Sequence, residues 1–221
     1  MTQNEALDLA RRLEGEVWGF KVNDLLLREG VGLIPRLRHY GKVFCDPKLH
    51  DIPNTVANYV RILGEAGADL VTLHCSGGSA MLDAAREART EGCGLLGVTV
   101  LTAMPTADVD YVYHRNISET VGDLARSALE AGLDGIVSSP LELNLIAECD
   151  PQHRLLRVIP GIRPHWCSRP DDQQRHLAPG EAWRLGADLL VIGRPITRAR
   201  DPVAACRLLA EELPPGSIGS Y

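Results

Sequence analysis

The chain has 221 residues, of which 45% are hydrophobic, 24% charged and 5% aromatic, and 23 Lys and Arg against 29 Asp and Glu leave a formal charge of −6. These figures fit one domain with a large aliphatic core and exclude a disordered acidic or basic chain. They also exclude a global attraction to nucleic acid or anionic lipid, while leaving room for a local cationic pocket.

In chain order the periodicity predicts helix 5–13, strand 17–22, helix 25–38, strand 43–46, helix 54–66, strand 70–74 and helix 80–91. Strand 95–101, helix 118–131, strand 135–138, helix 141–148, strand 155–160, helix 180–185, strand 189–192 and helix 202–213 follow. The strands are almost continuously apolar, as strands covered on both faces are. Gly67, Gly132 and Gly186 follow their helices as C-cap residues do. A β-then-α alternation every 25 to 30 residues or so means right-handed βαβ units and a parallel sheet. The expected class is α/β, a (β/α)8 TIM barrel spanning 1–213 as one domain, with a frayed tail at 214–221. Eight helices stand against seven strands, and the length is near the lower limit of about 200 for such barrels. The first strand is therefore expected to be absent, its place lying upstream of Met1. No short-period repeat is visible.

Cys45, Cys75, Cys93, Cys149, Cys167 and Cys206 form no C-x-x-C pair, which predicts free thiols in a reducing cytosol. No window approaches a membrane span, and the start, MTQNEALDLARR, is unlike a secretory leader. The protein is expected to be cytoplasmic.

The richest segment reads VFCDPKLHDIPNTV, from Val43 to Val56. Asp46 and Lys48 are two apart and share one face at the C-terminal end of a strand, where active sites of parallel α/β proteins lie. Asp51 follows at the turn into the next helix, which Pro53 is suited to begin. Lys21 ends the preceding strand and points into the same space. Four such charges cost several kcal/mol of desolvation per ion when imperfectly paired, which favours a functional cluster. A surface ion-pair network on a βα loop is the alternative.

A second region concerns phosphate. Pro160-Gly161-Ile162-Arg163-Pro164 and Gly193-Arg194-Pro195-Ile196-Thr197 follow the strands at barrel positions seven and eight, where phosphate sites recur. Gly193 allows backbone N–H groups to approach an anion, and Arg194 can grip it with two hydrogen bonds. The polar stretch 165–177 between them reads as a lid. Against this, Arg163 or Arg194 could merely tie down a helix end. Thr99 and Thr102 offer hydroxyls, and His74 is a candidate base or a histidine satisfied by backbone. His50 lacks metal-site spacing, and no histidine or cysteine cluster suggests zinc. No Gly-rich nucleotide fingerprint and no G-x-S-x-G elbow follows a strand.

The segment DPKLHDIPNT (46–55) resembles the signature of the orotidine 5'-phosphate decarboxylase family. The resemblance continues through Phe20-Lys21-Val22, 74–78, 98–102, 160–164, Asp172-Gln173 and 193–197, from about Glu5 to Leu213. It implies cofactor-independent decarboxylation of orotidine 5'-phosphate to UMP and CO2 in pyrimidine biosynthesis, with neither metal nor organic cofactor. It implies that Lys48 protonates the C6 carbanion and that Lys21, Asp46 and Asp51 complete the charged network. Asp51, Ile52 and Thr55 would reach the neighbouring site of a homodimer. Thr102 would contact the pyrimidine, Pro160 would lie under it, and Gln173, Gly193 and Arg194 would clamp the phosphate, with Arg163 beside them. Two local departures stand out: Pro47 replaces a leucine, so a ladder hydrogen bond is lost or the strand ends there, and Asn23 replaces a glycine. Family members also open with a strand ending Ala-Leu-Asp, whose aspartate binds ribose. Here Ala6-Leu7-Asp8 falls inside the first predicted helix, so that aspartate is expected to be missing. The competing expectations are a magnesium-dependent sugar-phosphate decarboxylase or aldolase-like member of the same superfamily, and a non-catalytic relic binding UMP-like anions.

Overall fold

The computed structural model describes residues 1–167 and 176–214. The tail from 215 onward and Gln173, with most of the expected lid, lie outside the described residues.

Helix α1 (Gln3–Arg12) starts in a capping box, in which Thr2 Oγ1 accepts the Glu5 N–H and the Thr2 N–H donates to the Glu5 carboxylate. Strand β1 (Gly19–Val22) leads to α2 (Asp24–Glu29) and α3 (Leu33–Arg38). The single helix expected over 25–38 is broken because Gly30 takes φ 71°, a left-handed backbone that ends α2. Next come β2 (Lys42–Leu49), α4 (Pro53–Glu65), β3 (Leu70–His74), α5 (Ser79–Ala88) and β4 (Gly94–Val98). Helix α6 (Thr106–Tyr113) was not expected: it buries only Val109, so it carries no apolar stripe to read. The chain continues through α7 (Ile117–Glu130), β5 (Gly135–Val137), α8 (Leu143–Cys149), β6 (Leu156–Ile159) and α9 (Pro179–Arg184). It ends with β7 (Leu189–Leu190), a short α10 (Arg194–Thr197) and α11 (Pro202–Glu211).

The described strands form one parallel seven-stranded sheet in the order β1 to β7. Phe44, Leu70, Leu96, Val98, Val137 and Val158 fill its concave side, while a larger aliphatic cluster lies between its other face and the helices. The sheet is curled. Strands β1 and β7 line opposite walls of one apolar groove of about 730 Å³, with α1 and α11 also contributing. Leu13 of the α1 end packs there with Ile196, Cys206 and Leu209. Along this groove β1 pairs only with β2 and β7 only with β6 among the described residues.

A repeat not legible as a short period staples the N-terminal end of the sheet. Gly67-Ala68-Asp69, Gly132-Leu133-Asp134 and Gly186-Ala187-Asp188 each follow a helix and enter a strand. In each, the aspartate accepts a backbone N–H from a neighbouring strand: Val43 at 2.9 Å, Leu95 at 2.8 Å and Arg157 at 2.7 Å. All six cysteines are free thiols. Burial pushes those of Cys45 and Cys75 up to about 12, so they behave as small apolar side chains.

Candidate active site

The site is built on an irregularity in β2. Cys45 stands opposite Val71 and Leu49 opposite Leu73, so four steps along β2 match two along β3. Pro47 lies inside this bulge and has no N–H to leave unpaired. The strand therefore runs through the proline, and the ladder bond is what is lost. Lys48 takes φ 51°, uncommon for a side-chain-bearing residue. Its N–H donates instead to Thr72 Oγ1 at 2.9 Å.

The bulge aims Asp46 and Lys48 inward. Asp46, 5% exposed, accepts Lys21 Nζ and Lys48 Nζ, each at 2.7 Å, on Oδ2. Its other oxygen, Oδ1, accepts the Thr72 hydroxyl at 2.9 Å. Burial pushes the Asp46 carboxyl up, but the two ammoniums outweigh burial and hold it below the ordinary carboxylate range. Both lysines keep about 30% side-chain exposure, 31% and 29%, so they face an opening and not the core. Phe44, two residues before Asp46, belongs to the inner apolar cluster, so the charges form the layer directly above it.

That opening is a pocket of about 250 Å³ whose lining includes Lys21, Asp46, Lys48, Thr102, Pro160, Arg163, Gly193 and Arg194. Eight of the expected site residues thus converge from the C-terminal ends of β1, β2, β4, β6 and β7. Val98, Val100, Val137 and Val191 supply apolar wall that no charge motif pointed to. Lys21, Phe44, Val191 and Gly193 line both this pocket and the larger groove, so the two spaces communicate. A side chain at Gly193 would meet open space.

The remaining expectations fall elsewhere. Asp51 is exposed, and the carboxylate accepts the Ile52 N–H at 2.6 Å instead of joining the lysines. Ile52 is 66% exposed and Thr55 is half-buried at the start of α4. Thr99 offers nothing to a ligand: it is fully buried, and its hydroxyl donates to the Val137 carbonyl at 3.2 Å. Asp8 lies in α1, paired with Arg11 at 2.8 Å. His74 ends β3 with its ring 5.4 Å from that of His50. Thr72 was missed because a threonine in a strand reads as an ordinary β-former. The available signal was its two-residue spacing from inward-facing Leu70. Among the described residues, no three His, Cys, Asp or Glu side chains are grouped to hold a metal ion. Likewise, no described helix is long and apolar enough to cross a membrane.

Residues 1–209 match the Orotidine 5'-phosphate decarboxylase / HUMPS family. The chain belongs to this family. It is 42% identical over 217 residues to the orotidine 5'-phosphate decarboxylase of Maridesulfovibrio salexigens, covering 94% of this chain and 93% of that protein. The enzyme of the same name from Dichelobacter nodosus is 45% identical over 215 residues, again covering 94% and 93%. The crystal structure of the Lactobacillus acidophilus orotidine 5'-phosphate decarboxylase superposes with a TM-score of 0.74 at 35% identity, covering 87% of this chain and 85% of that one. The similarity thus runs along nearly the whole length of this chain.

Proposed function

We propose that the chain is a carboxy-lyase that decarboxylates orotidine 5'-phosphate to UMP and CO2 in pyrimidine biosynthesis. The observation that carries this reading is the Asp46 carboxylate gripped by Lys21 and Lys48, each at 2.7 Å, at the mouth of the pocket. The C6–carboxylate bond breaks, its electron pair stays on C6, and the Lys48 ammonium delivers a proton there. The free amine then takes a proton from solvent. Enzymes supply about 8–23 kcal/mol of transition-state stabilisation, far beyond the roughly 1 kcal/mol of one exposed ion pair. A preorganised ammonium beside the developing carbanion supplies both electrostatic stabilisation and the acid. Pro160 and Thr102 flank the pyrimidine, while Arg194, Gly193, Gln173 and Arg163 hold the phosphate. That remote anchor contributes binding energy that orders the reacting end. No cofactor takes part.

The domain is a single unit over 1–213, acting in the cytoplasm as a homodimer. Asp51, Ile52 and Thr55 serve the neighbouring subunit's pocket, a reading supported by the exposure of Ile52, Tyr59 and Ile62 along one side of α4. The apolar groove between β1 and β7 is the position of an eighth strand, the first of a (β/α)8 barrel, a reading supported by edges on both walls that have no strand partner among the described residues.

The test is loss of orotidine 5'-phosphate absorbance on addition of the protein. Lys48→Ala should lower kcat by at least about 10²–10⁴-fold, the usual contribution of a positioned acid. Turnover unchanged in that variant would overturn the assignment of the proton donor, and an inert wild type would overturn the activity.

A further inference from the structure

Thr72 stands in the middle of β3 with no exposed surface, yet its hydroxyl bridges two members of the charged cluster. Oγ1 lies 2.9 Å from Asp46 Oδ1 and 2.9 Å from the Lys48 backbone nitrogen. The direction of both bonds is fixed by chemistry. A backbone N–H can only donate, so the hydroxyl accepts from Lys48 and its single hydrogen goes to Asp46.

We propose that Thr72 is a positioning residue for the decarboxylation, setting both the plane of the Asp46 carboxylate and the backbone turn that aims Lys48. This inference rests on the proposed function. Three features of the fold converge on it. The bulge leaves Lys48 N–H without a ladder partner on β3, since Leu49 and not Lys48 stands opposite Leu73. Lys48 holds φ 51°, a conformation that persists only where its surroundings over-determine it. Finally, Oδ2 of Asp46 carries both ammoniums, so Oδ1 is the handle by which the carboxylate's rotation can be held. The terminal torsion of an aspartate is broad and sets no angle of its own. Without the Thr72 hydroxyl the carboxylate is held through Oδ2 alone, so its plane, and with it the placement of both ammoniums, is less sharply set.

Two variants separate positioning from packing. Thr72→Val keeps the side-chain shape and removes the hydroxyl, whereas Thr72→Ser keeps the hydroxyl and removes a methyl. In steady-state assays Thr72→Val should lose about 10- to 100-fold in kcat, the scale of a hydrogen bond to a charged group. KM should stay within about twofold, because the phosphate grip is remote from the change. Thr72→Ser should recover most of kcat. A second readout does not depend on turnover: the ¹³C carboxyl resonance of Asp46, followed against pH. Its midpoint should rise in Thr72→Val, which removes a hydrogen bond to the charged form, and return in Thr72→Ser. Wild-type kcat together with an unmoved Asp46 midpoint in Thr72→Val would overturn the inference. Equal loss of kcat and of thermal stability in both variants, with the midpoint unmoved, would overturn it too, leaving packing as the only role. An inert wild type whose Asp46 midpoint still moves in Thr72→Val separates the two readings: the decarboxylase reading falls and the positioning stands.

Discussion

His74 is half-buried at the end of β3, with His50 beside it and Lys48 and Asp46 close by. Burial holds its pKa below the ordinary value of 6.5, His50 and Lys48 add to the effect, and Asp46 opposes it. The folded state therefore favours the neutral ring, while the unfolded chain takes up a proton as pH falls through 6.5. The resulting stability is fully present above pH 6.5 and is lost as pH falls from there through the depressed folded value. Urea unfolding at pH 7.5 and 5.5 should show wild type losing more stability on acidification than His74→Gln. The difference between the two proteins isolates this ring from the other six histidines. Equal losses would mean that His74 does not titrate differently on folding. At this scale the lysines and Asp46 were legible in the sequence because charges at the end of an apolar strand are costly and demand a partner. Thr72 was not, since its role depends on a bulge that only the pairing of β2 with β3 reveals.

The same dependence on pairing appears among the elements. Strand positions were readable because fully covered strands are apolar throughout, whereas the break in helix 25–38 turned on one glycine at φ 71°. The aspartate staples were hidden because their partners lie 26, 39 and 31 residues away along the chain. Asp69 is the most buried of the three, with 5% side-chain exposure, and joins the β3 entrance to β2 through Val43 N–H at 2.9 Å. Arg38 and Lys42, at 3.4 and 3.5 Å, balance its charge from the exposed side. Removing the carboxylate strands a buried N–H, which costs about 1–3 kcal/mol. Asp69→Ala should therefore destabilise the protein by about 2 kcal/mol, read as a fall of roughly 4–8 °C in Tm for a chain of this size. Asp69→Asn, whose amide oxygen can still accept the Val43 N–H, should lose less. A loss in the asparagine variant equal to that in alanine would assign the effect to charge pairing instead of the staple.

Across the whole molecule, a chain of net charge −6 gathers Lys21, Lys48, Arg163 and Arg194 around one pocket, with Asp46 as the single carboxylate in its lining among the described residues. Low-dielectric walls focus that local field, so an anionic substrate is attracted in spite of the global charge. Asp51 stays outside this lining: it is exposed, its carboxylate accepts the Ile52 N–H, and it precedes α4, whose Tyr59 and Ile62 are exposed. In the proposed dimer Asp51 completes the partner's pocket, and mixing two inactive proteins tests this directly. In a heterodimer of Lys48→Ala and Asp51→Ala subunits, one pocket carries both defects and the other carries neither. Random exchange makes about half of the dimers mixed, so an equimolar mixture should recover about a quarter of wild-type activity in a two-fold assembly. If Asp51 instead turned inward to serve its own subunit, every pocket in every dimer would hold one defect. The mixture would then be as inactive as its components, and co-purification of the two variants carrying different affinity tags, which shows that mixed dimers had formed, would make that result decisive against a shared site.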